Sequence, residues 1–352
     1  MKRFMILMLL FLSSGLFADY VDDGLEAIQN KNYPKAKELF EKACNNSDFL
    51  GCNYLGAIYE DGLGVKEDYN IAISLYSKAC DAAFGQGCAN LGMMYENAKG
   101  VKKDLSKSIF LYTKACDLGV FEICTNLGVM YEKGEGTKQE YNKAILLYEK
   151  ACDGGNVFGC YNLGQMYENA IGVKQDLNKT ILLYTKACDN GMAIGCYNLG
   201  FIYEEGTNVP QNYAKAITFY TKACDSGDSN GCVNLGSIYT KGVKIKQDYS
   251  KAASSYEKAC NGGNTSGCYN LGLMFRNGIG LKKDIEKAIL FYTKACTGGN
   301  ASGCYNLGLM YSKGEGVEQN PLIAKKLFGQ ACSSGNAESC QAYNLLKQIL
   351  EK

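Results

Sequence analysis

The chain has no histidine, no tryptophan and only three prolines in 352 residues. Without histidine it can build neither a Ser-His-Asp triad nor a histidine-bound zinc. Neither sign of charge prevails, with 37 Lys+Arg against 36 Asp+Glu, so the basic surface that nucleic acid requires is missing. No apolar run is long enough to cross a bilayer. The run from Phe4 to Leu12 follows Lys2 and Arg3 and precedes Ser13, Ser14 and Gly15, with Ala18 as a cleavage point. This order reads as a signal peptide over residues 1–18, which leaves a mature chain of residues 19–352. No cysteine lies near that point, so no membrane anchor is expected, and the protein should be periplasmic or secreted. What the chain does have is 47% hydrophobic residues, enough for a core, and 18 cysteines. In an oxidising compartment those cysteines would form a framework.

The cysteines give the organisation. They occur in pairs eight residues apart, and each pair lies 36 residues after the last, from 44/52 to 332/340, with no insertion or deletion. A fixed period of this length marks a repeat architecture. Within one unit, Cys160, Leu163, Gly164 and Tyr167 form a helical stripe (helix A). A glycine-rich turn follows, then Ile181, Tyr184, Ala187 and Cys188 (helix B), with Asp176 placed to cap it. Pro34 and Pro321 fall in the first turn of their B helices, where proline is tolerated. Asp-x-Gly or Asn-Gly-Gly then stops each B helix. Ten A helices and nine B helices are expected. The last A helix, running through Leu345, Leu346, Ile349 and Leu350, has no B partner and should seal the stack. Glycine recurs inside helix A at 56, 92, 128, 164, 200, 236, 272 and 308. Each costs about 1 kcal/mol against alanine, so a close crossing of helix backbones is expected there.

The Leu-Gly-x-Met-Tyr-Glu-x-Gly-x-Gly-Val and Lys-Ala-x-x-x-Tyr-x-Lys-Ala-Cys runs resemble Sel1-like repeats, relatives of the tetratricopeptide repeat. The paired cysteines make the chain similar to the Helicobacter cysteine-rich protein family. The resemblance covers nearly the whole mature chain. It implies an all-α fold, a right-handed αα-repeat solenoid of 36-residue repeats with one disulfide in each. For function it implies either a peptide- or protein-binding adaptor, or a penicillin-binding protein or weak β-lactamase acting on β-lactams or cell-wall fragments.

Three readings of the cysteines stand beside that resemblance. Four thiolates from neighbouring pairs could hold zinc, but zinc sites use tighter Cys-x2-4-Cys spacing and often histidine. Reactive thiolates are hard to reconcile with eighteen equivalent positions. Structural disulfides joining the end of each helix B to the start of the next helix A fit a tight αα turn, and this reading is favoured. The pairs would be Cys44–Cys52, Cys80–Cys88, Cys116–Cys124, Cys152–Cys160, Cys188–Cys196, Cys224–Cys232, Cys260–Cys268, Cys296–Cys304 and Cys332–Cys340. No metal and no cofactor is expected.

For binding, the stripe at +1, +5 and +8 from each helix-A cysteine should face away from the core. It carries Tyr161, Tyr197, Tyr269 and Tyr305 at +1, and Glu60, Glu96, Glu132, Glu168 and Glu204 at +8. An acidic groove in the N-terminal five units is expected, with tyrosine anchors for a peptide or protein ligand of host or bacterial origin. The glutamates sit near helix C-termini, where the dipole opposes them, so either a lysine partner or a cationic ligand is expected. For catalysis, Ser255-Tyr256-Glu257-Lys258 is the one Ser-x-x-Lys match. Lys258, however, is the ordinary repeat lysine, and the companion motifs are absent. Ser255 replaces the Leu or Phe of other repeats, so an underpacked helix B or a small polar pocket is expected there. A monomer is expected.

Overall fold

Local chemistry sets the helix boundaries. Asp68, Asp104, Asp176, Asn212, Asp248, Asp284 and Asn320 each precede a B helix, and each side chain accepts a backbone N–H of its first turn. Such caps satisfy donors that no helical carbonyl can reach. A computed structural model of the chain describes residues 18–206, 209–242 and 245–351. Apart from Ala18, the expected signal peptide lies outside the described residues. Among the described residues there are nineteen α-helices and no strand, and none of those helices is long and apolar enough to cross a membrane.

Two units divide the chain near residue 174. The first holds α1 (Ala18–Gln29), α2 (Tyr33–Asn45), α3 (Phe49–Asp61), α4 (Tyr69–Asp81), α5 (Gly85–Glu96), α6 (Leu105–Asp117), α7 (Phe121–Lys133), α8 (Tyr141–Asp153) and α9 (Val157–Glu168). The second holds α10 (Leu177–Asp189), α11 (Ala193–Glu205), α12 (Tyr213–Asp225), α13 (Ser229–Lys241), α14 (Tyr249–Asn261), α15 (Thr265–Asn277), α16 (Ile285–Thr297), α17 (Ala301–Lys313), α18 (Pro321–Ser333) and α19 (Ala337–Leu350). Odd-numbered helices are the A helices and even-numbered ones the B helices, in the expected numbers. Within each unit, successive helices pack as antiparallel neighbours.

Nine disulfides close the turns from helix B to the next helix A, each over a separation of eight residues. The backbone must come close for this. A Cβ on Gly51 would lie 2.4 Å from the Cβ of Ala43, so small residues flank the staple. Where Ile123 takes the glycine position, the Cα–Cα distance of the staple is 4.9 Å, against 4.4 and 4.5 Å at its first-unit neighbours.

The recurrent glycine of helix A has a different cause from the one its spacing suggests. It makes room for a ring rather than for a second backbone. A Cβ on Gly56, Gly92 or Gly128 would lie 2.6, 2.6 or 2.5 Å from the ring of Tyr76, Tyr112 or Tyr148 on the following B helix. Those rings are fully buried, so they cannot swing aside. Gly128→Ala is therefore expected to destabilise by about 1–3 kcal/mol, as overpacking does, although alanine gains about 1 kcal/mol in an isolated helix. A denaturant midpoint that stays level or rises would contradict this packing.

The last helix, α19, packs on α18. Leu345 and Ile349 of α19 are 59% and 58% exposed.

Candidate functional site

Tyr76, Tyr112, Tyr148, Tyr220, Tyr256 and Tyr292 of the B helices each lie along helix A with the ring over the glycine and the hydroxyl one turn further on. In four repeats it meets the +8 glutamate there. Tyr76, Tyr112, Tyr148 and Tyr220 donate to Glu60, Glu96, Glu132 and Glu204 at 2.7, 2.5, 2.6 and 2.7 Å. Burial, and then the neighbouring carboxylate, holds all four phenols protonated far above the usual tyrosine range. This pairing accounts for acidic residues at an unfavourable helix end, because a buried hydroxyl needs an acceptor. Where the hydroxyl is missing the carboxylate is too: Phe328 faces a helix that carries Ser312 at +8.

Only some of the +8 charges are neutralised. Glu60 also takes Lys99 of the next repeat at 2.7 Å. The same offset of 39 residues carries the reversed pair Arg276–Glu315, bidentate at 3.0 and 2.7 Å. Arg276 also donates to Asn306. Tyr292, beneath it, is left with no hydrogen bond at its hydroxyl among the described residues, and burial raises its pKa to about 12 against the opposing charge of Arg276. Glu96 and Glu132 differ from both: no lysine or arginine among the described residues pairs with either, and both are half-buried. At the loop position that holds Lys99 for Glu60, the repeat after Glu96 carries Glu135.

The +1 positions do not face open solvent as the stripe count expects. Asn53, Ala89 and Thr125 are buried. Tyr197, Tyr269 and Tyr305 are half-buried against rings of helix B, with centroids 5.8, 6.0 and 5.7 Å from those of Tyr220, Tyr292 and Phe328. Tyr161 is half-buried and takes a hydrogen bond from Gln165. Glu168 closes α9 and is half-buried.

A polar row that the stripe count passed over lies at +2: Asn90, Asn126, Asn162, Asn198, Asn234, Asn270 and Asn306. All are half-buried or exposed. Asn90 donates to Asn53 of the preceding repeat at 2.8 Å, and Asn234 to Tyr220 at 3.1 Å. Asn126 is exposed on α7, in the same helix as Glu132, and its side chain has no hydrogen bond among the described residues. The signal was visible as an amide recurring every 36 residues on a helix face, where asparagine has no propensity advantage.

Ser255 and Lys258 each serve another partner. Ser255 is buried, and its hydroxyl donates to the Lys251 carbonyl at 2.8 Å. In other repeats the same position carries Phe219 or Phe291, stacked on Tyr203 or Phe275 of helix A. Lys258 reaches back to Asp225 at 2.7 Å, as Lys150 does to Asp117 and Lys222 to Asp189. Lys78 and Lys114 instead donate to the carbonyls of Cys44 and Cys80. All eighteen cysteines are in disulfides, and no group of three or more potential metal ligands occurs among the described residues.

The Sel1 repeat profile matches residues 20–48, 50–84, 85–120, 123–156, 157–192, 193–228, 229–264, 265–300 and 301–336. Beta-lactamase HcpA of Helicobacter pylori is 42% identical over 55 residues, which are 16% of this chain and 22% of that protein. HcpE of the same species is 47% identical over 45 residues, 13% of each chain. The chain thus spans less than a quarter of the length of these curated relatives. Among solved structures, a protective antigen of uropathogenic Escherichia coli with an SLR fold is 25% identical, with 95% of this chain and 80% of that one covered and a TM-score of 0.61. A Sel1 repeat protein from Oxalobacter formigenes is 23% identical over 98% of both chains, with a TM-score of 0.71, and supports the fold.

Proposed function

From the premise that this chain belongs to the Sel1 repeat family, and is related to the Helicobacter cysteine-rich proteins, we propose that it is an exported binding protein whose first unit takes a cationic peptide segment on its A-helix face. The observation that carries this is the pair Glu96 and Glu132. They sit in successive repeats, half-buried, each with a tyrosine donor and, among the described residues, no lysine or arginine partner. Partly desolvated carboxylates without a counter-ion favour an ammonium or guanidinium, with charge-assisted hydrogen bonds. Asn126, about 1.7 turns before Glu132 on the same helix, offers both a donor and an acceptor, which a peptide main chain matches in any sequence. Export agrees with the signal-like N-terminus and with nine disulfides, which persist outside a reducing cytosol.

Hydrolysis of β-lactams has less support. The name of HcpA comes with a match to 22% of its length, and neither Ser255 nor Lys258 is free to activate the other.

Fluorescence anisotropy with a labelled lysine-rich peptide tests the binding reading. Glu96→Gln with Glu132→Gln keeps an acceptor for each tyrosine while removing the charge. Affinity should fall about thirtyfold, from two lost contacts of roughly 1 kcal/mol each, and should weaken with salt in the parent protein. Equal affinity of parent and double variant would refute the reading.

A further inference from the structure

We propose that Cys332–Cys340 is a thiol–disulfide exchange site, attacked by an external thiol at Cys332. Three of the other staples are seen packed under the next helix B. Cys44–Cys52 packs under Ala79, with Phe49, Leu75 and Phe84 beside it. Cys116–Cys124 lies under Ala151, and Cys224–Cys232 under Ala259. In the seven staples from Cys44–Cys52 to Cys260–Cys268 both cysteines are buried. Cys296–Cys304 has one buried partner, and the amide of Gln330 on α18 lies beside Cys296. Among the described residues, Cys332–Cys340 is the one staple with both cysteines half-buried. A disulfide is exchanged only where a thiolate can reach it in line, so access ranks these nine otherwise similar bonds.

The local field selects the sulfur. Cys340 lies in the first turn of α19, where unsatisfied N–H groups stabilise a thiolate. Cys332 lies in the last turn of α18, where carbonyls disfavour one. The better leaving group is therefore Cys340. The external thiolate bonds to Cys332 Sγ, and the Cys332–Cys340 bond breaks. Its electron pair leaves on Cys340 Sγ, which then takes a proton from water. The product is a mixed disulfide at Cys332 and a thiol at Cys340. If the external group is a dithiol, its second thiolate attacks its own sulfur in that bond. The dithiol leaves oxidised, and the protein gains two electrons and a second thiol.

The oxidised full-length chain is incubated with excess reduced glutathione, quenched in acid, alkylated and mapped by peptide mass spectrometry over time. The first adduct should be glutathione on Cys332 with alkylated Cys340, appearing at least tenfold faster than any adduct at the other sixteen cysteines. A Cys332→Ser, Cys340→Ser variant with unchanged helical signal should lose that fast phase. A first adduct on Cys340 or at another staple, or uniform labelling, would overturn the proposal. Because parent protein gives the primary result, it does not depend on the variant folding.

Discussion

Complete reduction and alkylation of the nine disulfides is expected to collapse the helical circular-dichroism signal at 25 °C, whereas the oxidised chain melts cooperatively at high temperature. Each bond closes a loop of about nine residues, which the chain-entropy estimate values at roughly 2.5 kcal/mol. Nine such terms reach about 20 kcal/mol, beyond the 5–15 kcal/mol by which domains are usually stable. The estimate is an upper bound, because a reduced repeat chain keeps some local helix. Each repeat contacts only its neighbours and stability is close to a sum over repeats, so the loss falls on every one of them. A melting midpoint that drops only a few degrees on reduction would show that packing alone holds the array. The covalent framework would then be secondary.

The second large effect concerns Glu132 and Tyr148. Glu132→Leu should cost about 1–3 kcal/mol, because it leaves a fully buried phenol without an acceptor. Tyr148→Phe should cost about 1 kcal/mol, since the half-buried carboxylate loses its donor but keeps water on one side. The double variant removes both polar groups and should be more stable than Glu132→Leu alone. The repeat with Phe328 and Ser312 already has this apolar form. Urea unfolding of the four proteins measures the coupling, expected within the 0.5–3 kcal/mol typical of contacting pairs. Strict additivity would mean that the 2.6 Å contact contributes nothing and that the glutamate is present for another reason. Glutamine at 132 separates the two roles of this residue, because it preserves the phenol's acceptor and removes only the charge a ligand would sense.

The fold was legible from features that act over a few residues and repeat. The 36-residue cysteine register, the Asp and Asn caps and the glycine stops each specify local geometry, and nine copies leave one consistent solution. The site was less legible because it depends on reach across two helices. Tyr148 reads as an apolar member of the helix-B stripe, and nothing in helical periodicity says where its hydroxyl goes. A satisfaction count would have asked, since a buried phenol must find an acceptor. The recurring Glu and Tyr sixteen residues apart supply the answer, as does their joint loss at Ser312 and Phe328. The same accounting explains the glycines: an aromatic ring reaching toward a glutamate must pass over the backbone, and only a residue without Cβ leaves room. The +1 tyrosines were harder still. A helical wheel places them opposite the core, but the rings of Tyr220, Tyr292 and Phe328 lie close enough to Tyr197, Tyr269 and Tyr305 to cover that side as well.

The backward reach of the B-helix lysine has one more consequence. Lys150, Lys222 and Lys258 bind a residue 33 positions earlier, and Lys78 and Lys114 a carbonyl 34 positions earlier. These five links therefore start from the same position in the period and end within one residue of the same address. Recombination that deletes or duplicates one whole period joins a donor to an equivalent acceptor, and the cysteines stay in phase. Such a gene can lengthen or shorten its product in single steps without redesigning a joint, and the number of binding rungs can change faster than the chemistry of any one of them.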